Sequence, residues 1–360
     1  LLHSDEERFS AQPVRQSWMR LDIGFDVWRG LRLLWRKWVL HGALAWGIWP
    51  YAICAFLVSG ACVVGVATAQ APADLAQASA SAADKEPITA IPPAPAADPL
   101  KLALGEQLFG DRRLSHNGNL ACLSCHDIRT NGTRDAPIDP STHPFRTLSV
   151  FNAALSFRLN WEGNFRTLEA QTESSLENPA NLATSASEVV EKLKADPEMN
   201  RRFANAYGRP PDRTSLPDAI AIYLRSLRTP GSRFDLWLGG DASALSTKDL
   251  EGYRLFKSFG CISCHQGVNV GGNLFERHGI FRPLAAAKPE LVRVPSLRNV
   301  ATRPPYFHDG SAPTLDDAVR KMSAAQLDRT LSDQQVEAIV AFLNSLTGTY
   351  RGAVVTGAAR

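Results

Sequence analysis

Cys122-Leu123-Ser124-Cys125-His126 and Cys261-Ile262-Ser263-Cys264-His265 are two copies of one pattern. Each reads C-x-x-C-H, the attachment signature of c-type haem. In that chemistry two thiols add to the two vinyl groups of a porphyrin. The adjacent His becomes the proximal iron ligand, for which an imidazole nitrogen is well suited. One copy alone could also be half of a zinc site or a redox dithiol. A zinc reading wants both pairs on one metal, about 15–20 residues apart. Here the pairs are far apart, each has its own His, and the only other cysteines fall in an apolar leader. The chain is therefore expected to carry two haem groups, with zinc and thioredoxin-like readings as the alternatives.

The residues ahead of each motif repeat as well. Gly105-Glu106-Gln107-Leu108-Phe109 precedes the first, and Gly252-Tyr253-Arg254-Leu255-Phe256 precedes the second. The chain reads as an internal duplication: helix, haem motif, loop, helices. Apolar spacing at Leu100, Leu104 and Leu108 predicts a helix that Gly110 stops. Further helices are expected over 168–176, 186–195, 199–207 and 216–227. In the second half, Ser246-Thr247-Lys248-Asp249, Thr314-Leu315-Asp316-Asp317 and Ser332-Asp333-Gln334-Gln335 each open a helix. Few stretches alternate with period two. The expected fold class is mainly α, with two cytochrome c-like haem domains in tandem, over residues 99–238 and 239–360. The Gly- and Ala-rich tail is expected to be loose.

The chain has 360 residues, enough for two modest domains after a leader. Its net charge of +3 owes part of its excess to leader arginines, and no basic stripe with interleaved aromatics follows. No nucleic-acid partner is expected. Arg29, Arg32, Arg36 and Lys37 precede an uncharged run from Gly42 to Ala69, which closes on the small-x-small pattern Ala67-Thr68-Ala69. Residues 1–69 are thus expected to be a signal peptide, or an uncleaved anchor touching the membrane through residues 43–69. Either way the body is exported, to the periplasm, with the positive flank inside. Cys62 is a lipoprotein candidate, against the plain reading of a small apolar leader residue. Residues 70–98 are Ala- and Pro-rich and are expected to form a flexible linker.

The sixth iron position decides the chemistry. Filled by Met or His it favours electron transfer; open, it can bind peroxide. Met322 follows the second motif across a Pro-rich loop, the order expected of an axial ligand, although Met also fills cores. Met199 reads as packing. His143 follows the first motif in a polar loop, as a removable sixth ligand or a solvated side chain. His308, in Tyr306-Phe307-His308-Asp309-Gly310, reads as a propionate neighbour rather than a ligand. His116 and His278 are left to the surface or to supporting roles. Trp161 lies in a polar turn, either as an electron relay or as a packing residue whose indole N–H finds a carbonyl.

Together these blocks resemble the bacterial di-haem cytochrome c peroxidase family, which includes the MauG-type di-haem oxidases. The resemblance runs from about residue 99 to residue 348 and rests on both haem motifs and on Leu108-Phe109-Gly110-Asp111-Arg112-Arg113-Leu114-Ser115. It also rests on Trp161-Glu162-Gly163-Asn164, Leu168-Glu169-Ala170-Gln171, and Val294-Pro295-Ser296-Leu297-Arg298-Asn299-Val300 running into Pro305-Tyr306-Phe307-His308-Asp309-Gly310. It implies two covalently bound haem c groups. The haem on His126 would be the peroxidatic one. The haem on His265 and Met322 would receive electrons, with Trp161 between them. Gln171 matches a distal-pocket glutamine. MauG-type enzymes carry Tyr where Met322 falls, which favours the peroxidase branch.

The departures are specific. The family's distal Glu falls on Asn181, followed by Leu182, and an Asn amide cannot shuttle a proton. Glu177, or Glu173, is the candidate substitute. The family's calcium-site Asn falls on Arg146, which argues against calcium. The first expectation is thus a periplasmic peroxidase that reduces hydrogen peroxide to water with electrons from a small cytochrome c or cupredoxin, touching the membrane only through residues 43–69 if the leader is uncleaved; the resemblance also implies a homodimer. The alternatives are a MauG-like oxidase that modifies a partner protein and a non-enzymatic di-haem electron carrier.

Overall fold

Asp98 starts the first helix, its carboxylate accepting from the N–H groups of Leu100 and Lys101, with Pro99 in the first turn. From there a computed structural model describes ten helices among residues 86–134, 145–284 and 289–357. The chain divides into two units, residues 1–68 and 69–360. The leader and His143 lie outside the described residues. Among the described residues no helix is long and apolar enough to cross a membrane.

The first half contains α1 (Pro99–Phe109), α2 (Cys122–Cys125), α3 (Leu168–Glu177), α4 (Ala186–Lys194), α5 (Pro197–Tyr207) and α6 (Ser215–Ser226). The second contains α7 (Arg233–Leu238), α8 (Thr247–Ser258), the strands β1 (Phe275–Arg277) and β2 (Leu291–Arg293), then α9 (Leu315–Leu327) and α10 (Asp333–Ser345). A short hairpin, β3 (Thr349–Tyr350) and β4 (Ala353–Val354), closes the chain. Strand β1 pairs antiparallel with β2, Glu276 facing Val292. The mainly helical expectation holds, and the expected N-caps act: Ser246, Thr314 and Ser332 each accept a hydrogen bond from the helix they open, as does Ser185 at the start of α4.

The duplication is visible in how the helices cross. A Cβ placed on Gly105 of α1 would lie 2.0 Å from Ala219 O of α6. One on Gly252 of α8 would lie 1.8 Å from Ala338 O of α10. Each glycine lets two helix backbones touch, so the matching G-x-x-L-F phrases mark the same crossing in both halves. Tyr223 and Phe342 take equivalent places one turn further along, packing on Phe109 and Phe256.

Two apolar cores result. One gathers Leu104, Leu108, Phe109, Phe203, Leu216 and Tyr223; the other Phe234, Tyr253, Phe256, Val336 and Phe342. Both ends of the described region cross over. Ile88, fully buried, belongs to the second core, and Val355 and Tyr350 pack with the first. Residues 86–98 were expected to end a flexible linker, and they are instead tied down. Glu86 accepts from Tyr253 and Lys257, Pro87 O accepts from Gly267 N–H at 2.8 Å, and Thr89 O accepts from Arg298. Arg298 in turn is paired with Asp235, both almost fully buried, at 2.8 Å. The tail expected to be loose forms the closing hairpin, and Thr349 N–H donates to Pro230 O at 2.9 Å. The second core also reaches back to Phe234 and Leu238.

Candidate functional site

In both motifs the C-x-x-C backbone winds into one tight turn and delivers its His to an interior position. His126 Nδ1 lies 3.3 Å from Gly132 O, and His265 Nδ1 lies 3.3 Å from Val270 O. A carbonyl can only accept, so each ring carries its proton on Nδ1 and leaves the Nε2 lone pair for a metal. Burial pushes the His265 pKa down to about 4 and lowers that of His126 as well, so both imidazoles are neutral, the ligating form. Phe109 and Phe256 stand at the same 6.3 Å ring separation from their respective histidines. Beside His265, Gly271 has φ +132°, and a Cβ there would lie 2.3 Å from Pro295 O. Only glycine admits that approach.

The thiols lack the electrostatics of a redox pair. Burial pushes the Cys122 thiol up to about 12 and Cys261 up to about 11, and raises Cys125 and Cys264. Redox dithiols need the opposite, a thiolate stabilised near neutral pH. Among the described residues no three His, Cys, Asp or Glu side chains gather as a metal site.

A cavity of about 240 Å³ surrounds the second motif. Cys261, Cys264 and His265 line it together with Met322 from α9. Most of its wall is apolar, from Phe256, Val294, Leu297, Val319 and Leu343 among others. Its polar lining includes three buried nitrogens with no partner in the protein: Arg303 Nε, His278 Nε2 and His308 Nε2. His278 and His308 meet edge to face with ring centroids 4.1 Å apart. These residues fit a haem c: thiols and imidazole for attachment and ligation, a thioether, an apolar wall, and buried donors suited to propionate carboxylates.

Trp161 lines the same cavity. Its indole Nε1 donates to Arg146 O at 2.9 Å, and its ring stands edge-on to His308 at 6.2 Å. The stretch around it serves both halves. Thr133, Thr147 and Leu148 line this cavity, while Gly132, next to Thr133, offers its carbonyl to the His126 imidazole. One strip of backbone thus touches the surroundings of both histidines.

The first half offers less definition around Gln171. Its Nε2 donates to Ser175 Oγ at 3.2 Å, and its Oε1 is buried with no partner. Glu177 ends α3, exposed, six residues on. At ~100° per residue that step turns Glu177 away from the face of Gln171, whereas Ser175 shares it. Asn181 donates its backbone N–H to Asn178 O at 2.9 Å, in the turn that follows α3. Met199 is fully buried in the first core, and His116 is exposed beside Glu188. Arg146, His278 and Arg303 carry contacts that the motifs do not announce. A buried-looking Arg next to two prolines, Pro304 and Pro305, is the one local signal.

Comparison with known proteins accords with this geometry. Residues 99–243 match the family profile described as di-haem cytochrome c peroxidase, and residues 250–347 match cytochrome c. The chain is 37% identical to a cytochrome c551 peroxidase of Nitrosomonas europaea, over 68% of this chain and 79% of that one. It is 33% identical to the cytochrome c551 peroxidase of Pseudomonas aeruginosa, over 80% and 91%. It is 31% identical to the methylamine utilization protein MauG of Methylorubrum extorquens, over 83% and 93%. A solved MauG-like protein associated with microbial copper homeostasis superposes with a TM-score of 0.61 at 27% identity, covering 72% of this chain and 93% of that one. Paired haem motifs, duplicated helix crossings and these likenesses agree that the chain belongs to the di-haem cytochrome c peroxidase family.

Proposed function

We propose that this enzyme reduces hydrogen peroxide to water at the haem held by Cys122, Cys125 and His126. Two electrons and two protons convert one peroxide into two waters. The electrons arrive one at a time from a small cytochrome c or cupredoxin, at the haem held by Cys261, Cys264 and His265. Both haems are attached through their thiols, in the periplasm. The observation that carries this reading is the presence of Met322 in the cavity of His265. A haem held there by both His265 and Met322 would be closed to peroxide and would have a raised potential, which would suit it to receive electrons. Chemistry is then left to the first haem, which when bound supplies the iron that takes up peroxide and electrons.

The residues of the chain supply position and protons. Gln171 orients peroxide through its buried amide. Trp161, held by Arg146 O and lining the cavity of His265, relays electrons between the halves. Glu177, exposed and turned off the Gln171 face, is the candidate proton carrier in place of the family Glu only through an intervening water. Removing a general acid–base group costs about 10²–10⁴ in rate. A Glu177→Gln variant slowed to that extent keeps the assignment; unchanged turnover removes it.

A second reading has its own support. Asn181 alters the distal pocket, and two MauG proteins are among the relatives. In that reading peroxide is used to oxidise a side chain of a partner protein. Stopped-flow mixing of the half-reduced protein with peroxide, in the presence of a reduced small cytochrome, separates the two. Sustained turnover supports the peroxidase. A single rapid oxidation without turnover supports the oxidase.

A further inference from the structure

Arg146 stands where the two haem-binding halves meet, and three parts of it reach across or along that junction. Its backbone N–H donates to His308 O at 2.8 Å. Its carbonyl accepts the indole of Trp161 at 2.9 Å. Its guanidinium donates through Nη1 to Arg303 O at 3.2 Å and through Nη2 to Pro304 O at 3.4 Å. Two successive carbonyls of the second half are therefore turned toward one cationic group of the first.

Carbonyls gathered in this way need a donor or a cation, since an unpaired carbonyl away from water is costly. Calcium is one solution, because it takes backbone oxygens as ligands. A guanidinium is another. Its planar fork meets two acceptors at once, and its charge is not lost at any ordinary pH. Adding a divalent ion here would set it beside Arg146 and beside Arg303, whose pKa is held down to about 10, first by burial and then by the charge of Arg146. Among the described residues no cluster of acids stands by to offset that repulsion.

We infer that the Arg146 side chain is the resident cation of the junction, taking the place that the family resemblance assigns to calcium and tying the carbonyls of Arg303 and Pro304 to the backbone strip that holds Trp161, so that electron transfer between the halves needs no divalent ion. Arg146 is thus a positioning residue. It acts through Trp161 and the 303–308 loop rather than on peroxide. The inference rests on the di-haem reading but not on peroxide turnover.

The test uses the holoprotein and no peroxide. The haem on His265 is reduced by a light-driven donor, and the arrival of the electron at the other haem is followed by absorbance. In the unmodified protein, a calcium chelator is expected to leave that rate unchanged, and calorimetric titration with calcium to give no saturable binding. In Arg146→Ala the rate is expected to fall by about one to two orders of magnitude at unchanged haem content. Methylguanidinium is expected to restore it and calcium is not. Arg146→Lys, which keeps the charge and loses the fork, is expected to lie between. Stoichiometric calcium binding by the unmodified protein overturns the inference, whether or not the variants fold. An unchanged rate in Arg146→Ala overturns it as well. Failure of the peroxidase reading alone would leave all these results standing, because none of them involves peroxide.

Discussion

Met322 and His265 share a cavity in which most other groups are apolar, so the thioether has few polar competitors for a metal at that place. Exchange for leucine conserves volume and should cost under about 1.5 kcal/mol of stability. It removes the sulfur, however. Met322→Leu is therefore expected to keep the fold and to lower the potential of the second haem, within the roughly 0.8 V range that axial ligands command. A spectroscopic redox titration reads the change, and an unaltered potential would mean that Met322 only packs. Residues of this kind were legible in the sequence because attachment chemistry dictates local spacing: two thiols, two residues between, then the imidazole. Arg146 was not legible as a donor. Its partners, Arg303 and Pro304, lie 157 and 158 positions away, and no local pattern encodes a contact of that range. The pair of His278 and His308 escaped for the same reason.

Helices repeat the lesson one level up. Their starts were readable because Ser, Thr and Asp side chains must satisfy the N–H groups that a helix end leaves open. Strands β1 and β2 were missed, since three residues are too few to show an alternation. The glycines of the two crossings test the duplicated architecture. Gly105→Ala and Gly252→Ala each force a methyl group against a helix carbonyl, and overpacking of this kind costs about 1–3 kcal/mol or more. Denaturant unfolding with a probe in each half should show the larger loss in the half that carries the substitution. A second element-level expectation concerns pH. Asp212 accepts from the N–H groups of Thr214 and Ser215 at the start of α6, at 2.8 and 2.9 Å. Arg209, foremost, and these amides hold its pKa down to about 2. A carboxylate depressed in the folded state stabilises above its unfolded value, near 4, and that stability is lost as pH falls toward 2. Asp212→Asn should thus lower Tm at pH 6, and the gap to the unmodified protein should close on acidification.

Across the whole molecule, the two halves clasp each other by their ends. Ile88 fills the second core and Val355 the first. Ile88→Ala is expected to cost roughly 2–5 kcal/mol, the usual range for a buried Ile, and to weaken the second half first. Removal of residues 349–357 should weaken the first half instead. Thermal unfolding followed separately at each haem distinguishes the two outcomes. None of this clasp was evident beforehand. A Pro- and Ala-rich approach and a Gly-rich tail carry too little apolar periodicity to signal burial, and both read as tethers. Their seating has a consequence in time. Ile88 leaves the ribosome ahead of both haem motifs, yet the residues that enclose it, from Phe234 to Leu346, are made long afterwards. Ile88 therefore cannot take its place until the chain as far as Leu346 has been made. The stretch around Ile88, made before the first C-x-x-C-H motif, thus waits on the second half of the chain to be enclosed.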